Sequence, residues 1–116
     1  MSFHGLLDSL LEVPGVLATA LFDPDGQPVT HAGDASLVEL AGAYQSVWLE
    51  KLAASCQNSE LGDLGELRFD FETASMYVVR LNEGFFLLTL LTPGAAIWKL
   101  KRLLPGVTRS FAEKMS

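Results

Sequence analysis

Cysteine is almost absent: Cys56 is the only one in 116 residues. One thiol builds no intramolecular disulfide framework, and the chain is expected in a reducing compartment, the cytoplasm. Bases are scarce too, eight against fourteen acids, for a net charge of -6. The deficit lies in the first 98 residues, where three bases face thirteen acids, a net -10 that repels a phosphate backbone and argues against nucleic acid as a partner. Long hydrophobic runs are missing as well. The longest, Phe85 to Leu91, falls far short of the roughly 20 residues that cross a bilayer, and Asp8 and Glu12 interrupt the apolar N-terminal segment. Neither a membrane span nor a secretion signal is expected. There is no Walker loop, G-x-G-x-x-G, C-x-x-C or nucleophile elbow, and the two histidines, His4 and His31, stand far apart. These absences predict no catalytic residues, no metal, no cofactor and no enzyme.

What is present is a core. Hydrophobic residues make up 49% of the chain and aromatics 9%, enough for one domain over residues 1–116 and too few residues for two. Phe3, Leu6, Leu7, Leu10 and Leu11 repeat at helical spacing, and Pro14-Gly15 stops that helix. Residues 16–22 and 29–32 read as two strands joined by Asp23-Pro24-Asp25-Gly26. Two carboxylates beside a glycine could suggest a calcium loop, but Asp34 stands where the twelfth-position Glu would be needed, so the tetrad is assigned as a turn. Residues 67–72 alternate, with Leu67, Phe69 and Phe71 on one face and Arg68, Asp70 and Glu72 on the other, as in a half-solvated edge strand. Asp63, Glu66, Asp70 and Glu72 are read as that strand's solvated acids. A fourth strand turns through Asn82-Glu83-Gly84 into residues 85–92, a run apolar but for two threonines and therefore central.

From Ala95, the residues Ile97, Leu100, Leu104, Val107, Phe111 and Met115 share one arc, which predicts a kinked helix continuing across Pro105-Gly106, with Trp98 on its polar side. Five bases, Lys99, Lys101, Arg102, Arg109 and Lys114, lie in these last 18 residues against Glu113, a net +4 that complements the negative end of a helix dipole.

The middle helix, from Ser36 to about Gln57 with Asp34 and Ser36 as caps, has the most informative pattern. Projected at about 100° per residue, Glu39, Ser46, Glu50 and Gln57 fall in one polar stripe about 40° wide. Leu37, Leu40, Tyr44, Val47 and Trp48 form an apolar face. Val38, Leu49, Leu52 and Cys56 form a second flank, edged by Gly42 and Ala53. A helix lying on a sheet needs one such face, so the second predicts a neighbouring helix, preferably from a second subunit. Cys56, at helical spacing in that flank, is read as a packed side chain.

The stretch LLDSLLEVPGVLATALFDPDGQPV resembles the opening of the roadblock/dynein light chain family: a leucine-rich helix, a Pro-Gly-Val lead into the first strand and an Asp-x-x-Gly hairpin. LNEGFFLLTLLTPGAAIWKLKRLL resembles that family's last strand and final helix. The resemblance implies an α+β, roadblock/profilin-like fold of order αββαβββα. Its five-stranded antiparallel sheet has strand order 2-1-5-4-3, the middle helix on one face and the terminal helices on the other.

It implies also a homodimer paired through the middle helices and third strands, here through Val38, Gly42, Leu49, Ala53, Cys56, Arg68 and Phe69. The bacterial MglB-type branch, which it most resembles, implies a small Ras-like GTPase docked on the paired helices, carried over to Glu39, Ala43, Ser46, Glu50 and Gln57. The tail associated with nucleotide exchange in that branch has no counterpart after Met115, and no residue is an evident arginine finger, so the expected route is repositioning of the GTPase's own switch residues. A scaffold subunit that leaves nucleotide turnover unchanged is the alternative. A small-molecule sensor is a third reading, weakened by the lack of convergent polar groups within the apolar set.

Overall fold

The computed structural model describes residues 3–39, 51 and 66–115. An N-terminal helix, Phe3–Leu11, leads into strands β1 (Val16–Phe22) and β2 (Pro28–Gly33); β3 (Glu66–Asp70), β4 (Ser75–Arg80), β5 (Phe86–Leu91) and a C-terminal helix, Ile97–Met115, follow. The strands form one sheet of order β2-β1-β5-β4-β3, antiparallel at every pairing. This is the order the resemblance implied.

Local chemistry explains the turns. At the β1–β2 hairpin the Asp23 carboxylate accepts the backbone N–H groups of Asp25 and Gln27, both at 2.9 Å, and Gly26 takes φ 83. The tetrad is thus a turn held by its own aspartate. Between β4 and β5 the chain reverses through Asn82–Gly84, where Glu83 (φ 61) and Gly84 (φ 84) are both left-handed. Asp34 ends the β2 connection and starts the next helix: its Oδ1 accepts the N–H groups of Ser36 (2.9 Å) and Leu37 (3.2 Å), and residues 35–39 are helical. The cap is therefore Asp34, and Ser36 already lies inside the first turn.

The two faces of the sheet bury different sets. On one, Leu7 and Leu10 from the N-terminal helix meet Leu21, Leu87 and Leu91 from the sheet and Leu100 and Phe111 from the C-terminal helix. The rings of Phe3 and Phe111 stack there at 5.2 Å. On the other face Ala18, Ala20, Phe22, Val78, Phe86 and Leu88 pack with Val38, and Phe22 stacks on Phe86 at 5.0 Å. Each fully buried Leu or Phe contributes about 1.5–3 kcal/mol relative to exposure. β5 contributes to both sets and is buried along its whole length. Two hydroxyls inside the sheet, Thr19 and Thr89, bond to each other at 3.1 Å, and Thr19 also donates to the Leu88 carbonyl. The C-terminal helix runs through Pro105-Gly106 as one element, with both residues exposed, so the N–H that proline lacks costs no buried partner.

Candidate interaction surface

Strand β3 ends the sheet, and among the described residues no strand pairs with its backbone on the side away from β4. The Phe71 N–H donates to the Ala74 carbonyl at 2.8 Å, which makes Phe71 and Ala74 a hydrogen-bonded pair. Antiparallel ladders alternate, so in the observed register Leu67 and Phe69 bond to β4, whereas Glu66, Arg68 and Asp70 turn their backbone groups outward. The open edge therefore offers the N–H and C=O groups of residues 66, 68 and 70.

Side chains order this edge. Arg68 Nε donates to Asp70 Oδ1 at 3.0 Å, and the Ser75 hydroxyl donates to the same oxygen at 2.7 Å. The Ser75 hydrogen bond, followed by that from Arg68, holds the Asp70 carboxyl below its usual range. The Tyr77 hydroxyl donates to Glu66. These acids are thus bonded within the β3–β4 pair, beyond the solvation expected of them; Asp63 lies outside the described residues. On the opposite side of the strand Leu67 and Phe69 are half-buried against the Val38 core.

Of the residues predicted to meet a GTPase, Glu39 is exposed, and Ala43, Ser46, Glu50 and Gln57 lie outside the described residues. Of those predicted at a dimer contact, Arg68 is exposed on the β3 edge with Phe69 half-buried beside it, and Gly42, Leu49, Ala53 and Cys56 lie outside the described residues. Val38 is a correction. It is 1% exposed and belongs to the chain's own core, because the Asp34 cap starts the helix directly over the sheet and turns this position inward. A helical projection separates two flanks but does not say which one faces the sheet.

Sequence reasoning missed a groove at the far end of the molecule, where the loop after the N-terminal helix meets the start of the C-terminal helix. The exposed Trp98 on the polar side of its arc was the one visible signal. Among the described residues no group of three or more His, Cys, Asp or Glu is placed to hold a metal ion, and no helix is long and apolar enough to cross a membrane.

An α+β chain with this strand order and terminal helices sharing one face is a defined class of fold. The Roadblock/LC7 domain family matches residues 3–92, and the chain belongs to that family. Among solved structures it is similar to a Roadblock/LC7 domain from Streptomyces avermitilis (TM-score 0.85, 17% identity, covering 97% of this chain and 96% of that one). It is similar to Myxococcus xanthus MglB (TM-score 0.85, 11% identity, 97% and 94% covered). Myxococcus xanthus MglC is also similar (TM-score 0.71, 20% identity, 98% and 99% covered). At these identities the likeness establishes the fold. No curated protein matches the chain in sequence.

Proposed function

We propose that this chain is a homodimeric, non-enzymatic regulator of a small Ras-like GTPase, acting in the cytoplasm. Two copies pair through their middle helices and β3 edges, and the GTPase docks on the paired helices. The observation that carries the reading is an open, regular β3 edge in a Roadblock/LC7 chain. Pairing at that edge continues the sheet into a second copy and satisfies the outward groups of residues 66, 68 and 70. The structural likeness to MglB is consistent with this reading. Glu39 supports the docking surface: it is exposed on the first turn of the middle helix, where an acidic side chain steers a basic surface and raises the association rate while adding little affinity.

Single-turnover GTP hydrolysis by a Ras-like GTPase, with and without the purified chain, tests the reading. Faster hydrolysis supports the regulator. Binding with unchanged hydrolysis and exchange supports the alternative, a scaffold that assembles partners. Replacing Glu39 and Glu50 with Lys should leave the dimer intact and slow association at low salt, with the difference fading as salt rises. Association unchanged across the salt range would move the docking surface elsewhere.

A further inference from the structure

On the sheet face away from Val38, an open groove of about 540 Å³ lies between the end of the N-terminal helix and the first turns of the C-terminal helix. Its two walls are held together by the backbone. The Thr92 N–H donates to the Gly15 carbonyl at 2.8 Å, and the Ala96 N–H donates to the Pro14 carbonyl at 3.2 Å. Gly15 (φ 92) permits the approach, because a Cβ there would come within 2.5 Å of the Ala95 Cβ. The groove is therefore a built feature of the fold.

Its lining is mixed in a particular way. Val13 is buried at its base, while Trp98 is 59% and Leu103 41% exposed along it. Lys99 and Arg102 supply positive charge, with Lys99 Nζ 5.4 Å from the centre of the Trp98 ring. Glu12 is the single acid in the lining. At about 100° per residue, Trp98, Arg102 and Arg109 share one outward stripe of the C-terminal helix. Lys101 and Lys114 instead lie over the chain's own Tyr77 and Phe3 rings. The net +4 of this helix stands against the net -10 of the preceding 98 residues, so positive charge is concentrated at this groove and along its helix.

We propose that this groove is a docking site for an acidic peptide segment of a partner protein, one that seats an aromatic or aliphatic side chain between Trp98 and Leu103 and places carboxylates against Lys99 and Arg102. Exposed Trp and Arg side chains are the types that dominate binding energy at protein interfaces. The concavity over buried Val13 favours a peptide over a lipid surface, since an extended segment can enter a groove that a flat bilayer meets only at its rim. A segment bound here lies on the opposite side of the sheet from Glu39, so it and a partner at the middle helix can be held together. The site stands on its own, whether or not a GTPase binds the other face.

Selection of short random peptides displayed against the purified full chain tests the proposal, followed by titration of synthetic copies of the enriched peptides. The expected result is enrichment of sequences that combine acids with an aromatic or aliphatic anchor. Their affinity should fall about tenfold or more in Trp98→Ala and in Arg102→Glu. It should weaken as salt rises, survive in Trp98→Phe, and be unaffected by Glu39→Lys. Circular dichroism should show all four variants folded, since each replaced side chain is exposed. Selection without acidic bias, no enrichment, or binding indifferent to both groove variants would overturn the proposal. So would two other outcomes: binding to phosphatidylserine vesicles lost in those variants while no peptide is enriched, which makes the groove a membrane contact, or a change in native mass in Arg102→Glu, which makes it a contact between copies.

Discussion

The two edges of the sheet are finished differently. β2 begins at Pro28, which has no N–H to offer, its pairing with β1 shifts register between Leu21 and Phe22, and the N-terminal helix packs against it. β3 runs in unbroken register with β4, and past its end Phe71 is 57% exposed. Proline, irregularity and a covering helix are common devices against unwanted strand pairing. β2 carries the first two and has the N-terminal helix packed against it, whereas on β3 Arg68 pairs with Asp70 and Glu66 accepts the Tyr77 hydroxyl. The contrast teaches which edge of this roadblock sheet is kept available.

Breaking the cover of β2 has the largest expected effect. Leu10→Ala removes a fully buried contact that anchors the N-terminal helix and should cost about 2–5 kcal/mol by denaturant unfolding. It should also cause concentration-dependent association as β2 is uncovered. If unfolding shifts but the chain stays unassociated, Pro28 and the register shift protect that edge without the helix.

Arg68→Pro sharpens the comparison from the other side. It removes an outward N–H and no ladder bond to β4, so the monomer should stay within about 1 kcal/mol of the parent. Sedimentation should then report the monomer mass, near 12.6 kDa, where the parent is expected at the dimer mass. The matching substitution on β2, Val29→Lys, alters an exposed side chain and should leave the mass unchanged. Equal responses at the two edges would erase the distinction drawn between them.

A smaller loss is expected where β2 hands the chain to the middle helix. Asp34→Ala deletes the side chain that accepts the Ser36 and Leu37 N–H groups and should cost about 1 kcal/mol, read by thermal unfolding. The smallest effect belongs to Asp70, which is exposed. Its carboxyl is held below its ordinary value, so its contribution to stability is present above that ordinary value and is lost as pH falls through the lowered folded one. Asp70→Asn should therefore be slightly less stable than the parent at neutral pH, and the gap should close in acid. A gap that persists in strong acid would assign the effect to something other than the ionised carboxylate.

Much of the fold was legible because its signals are local. The three- and four-residue spacing of Leu6, Leu7 and Leu10 and the Asp23 turn identified their elements directly. The alternation of Leu67 and Phe69 marked an edge strand, although Phe71, expected on the same face, lies past its end and is exposed. The apolar run ending at Leu91, interrupted only by Thr89, marked the central one, since a strand covered on both faces is apolar along nearly its whole length. The position of Trp98 on the polar side of its helix was legible too. Strand order was not contained in any such pattern and came from the family resemblance, because the bonds between β1 and β5 join segments far apart in the chain. The candidate surfaces were legible only in part. Val38 was assigned to a dimer flank on a helical wheel that carries no direction toward the sheet, and the bonding of Glu66 to Tyr77 depends on a pairing that alternation does not reveal.

By itself, then, the sequence determined, among the described residues, which segments form helices, strands and turns, which of their faces are apolar, and that positive charge gathers in the last 18 residues. Those properties follow from side-chain periodicity and from the few backbone conformations open to Pro, Gly and Asp, which neighbouring residues largely decide. Tertiary structure alone decided that Val38 faces inward, that Arg68 turns its backbone away from β4, and that Pro14 and Ala96 close one groove beside Trp98. Each of these rests on contacts between distant segments, whose geometry exists only after the sheet has assembled.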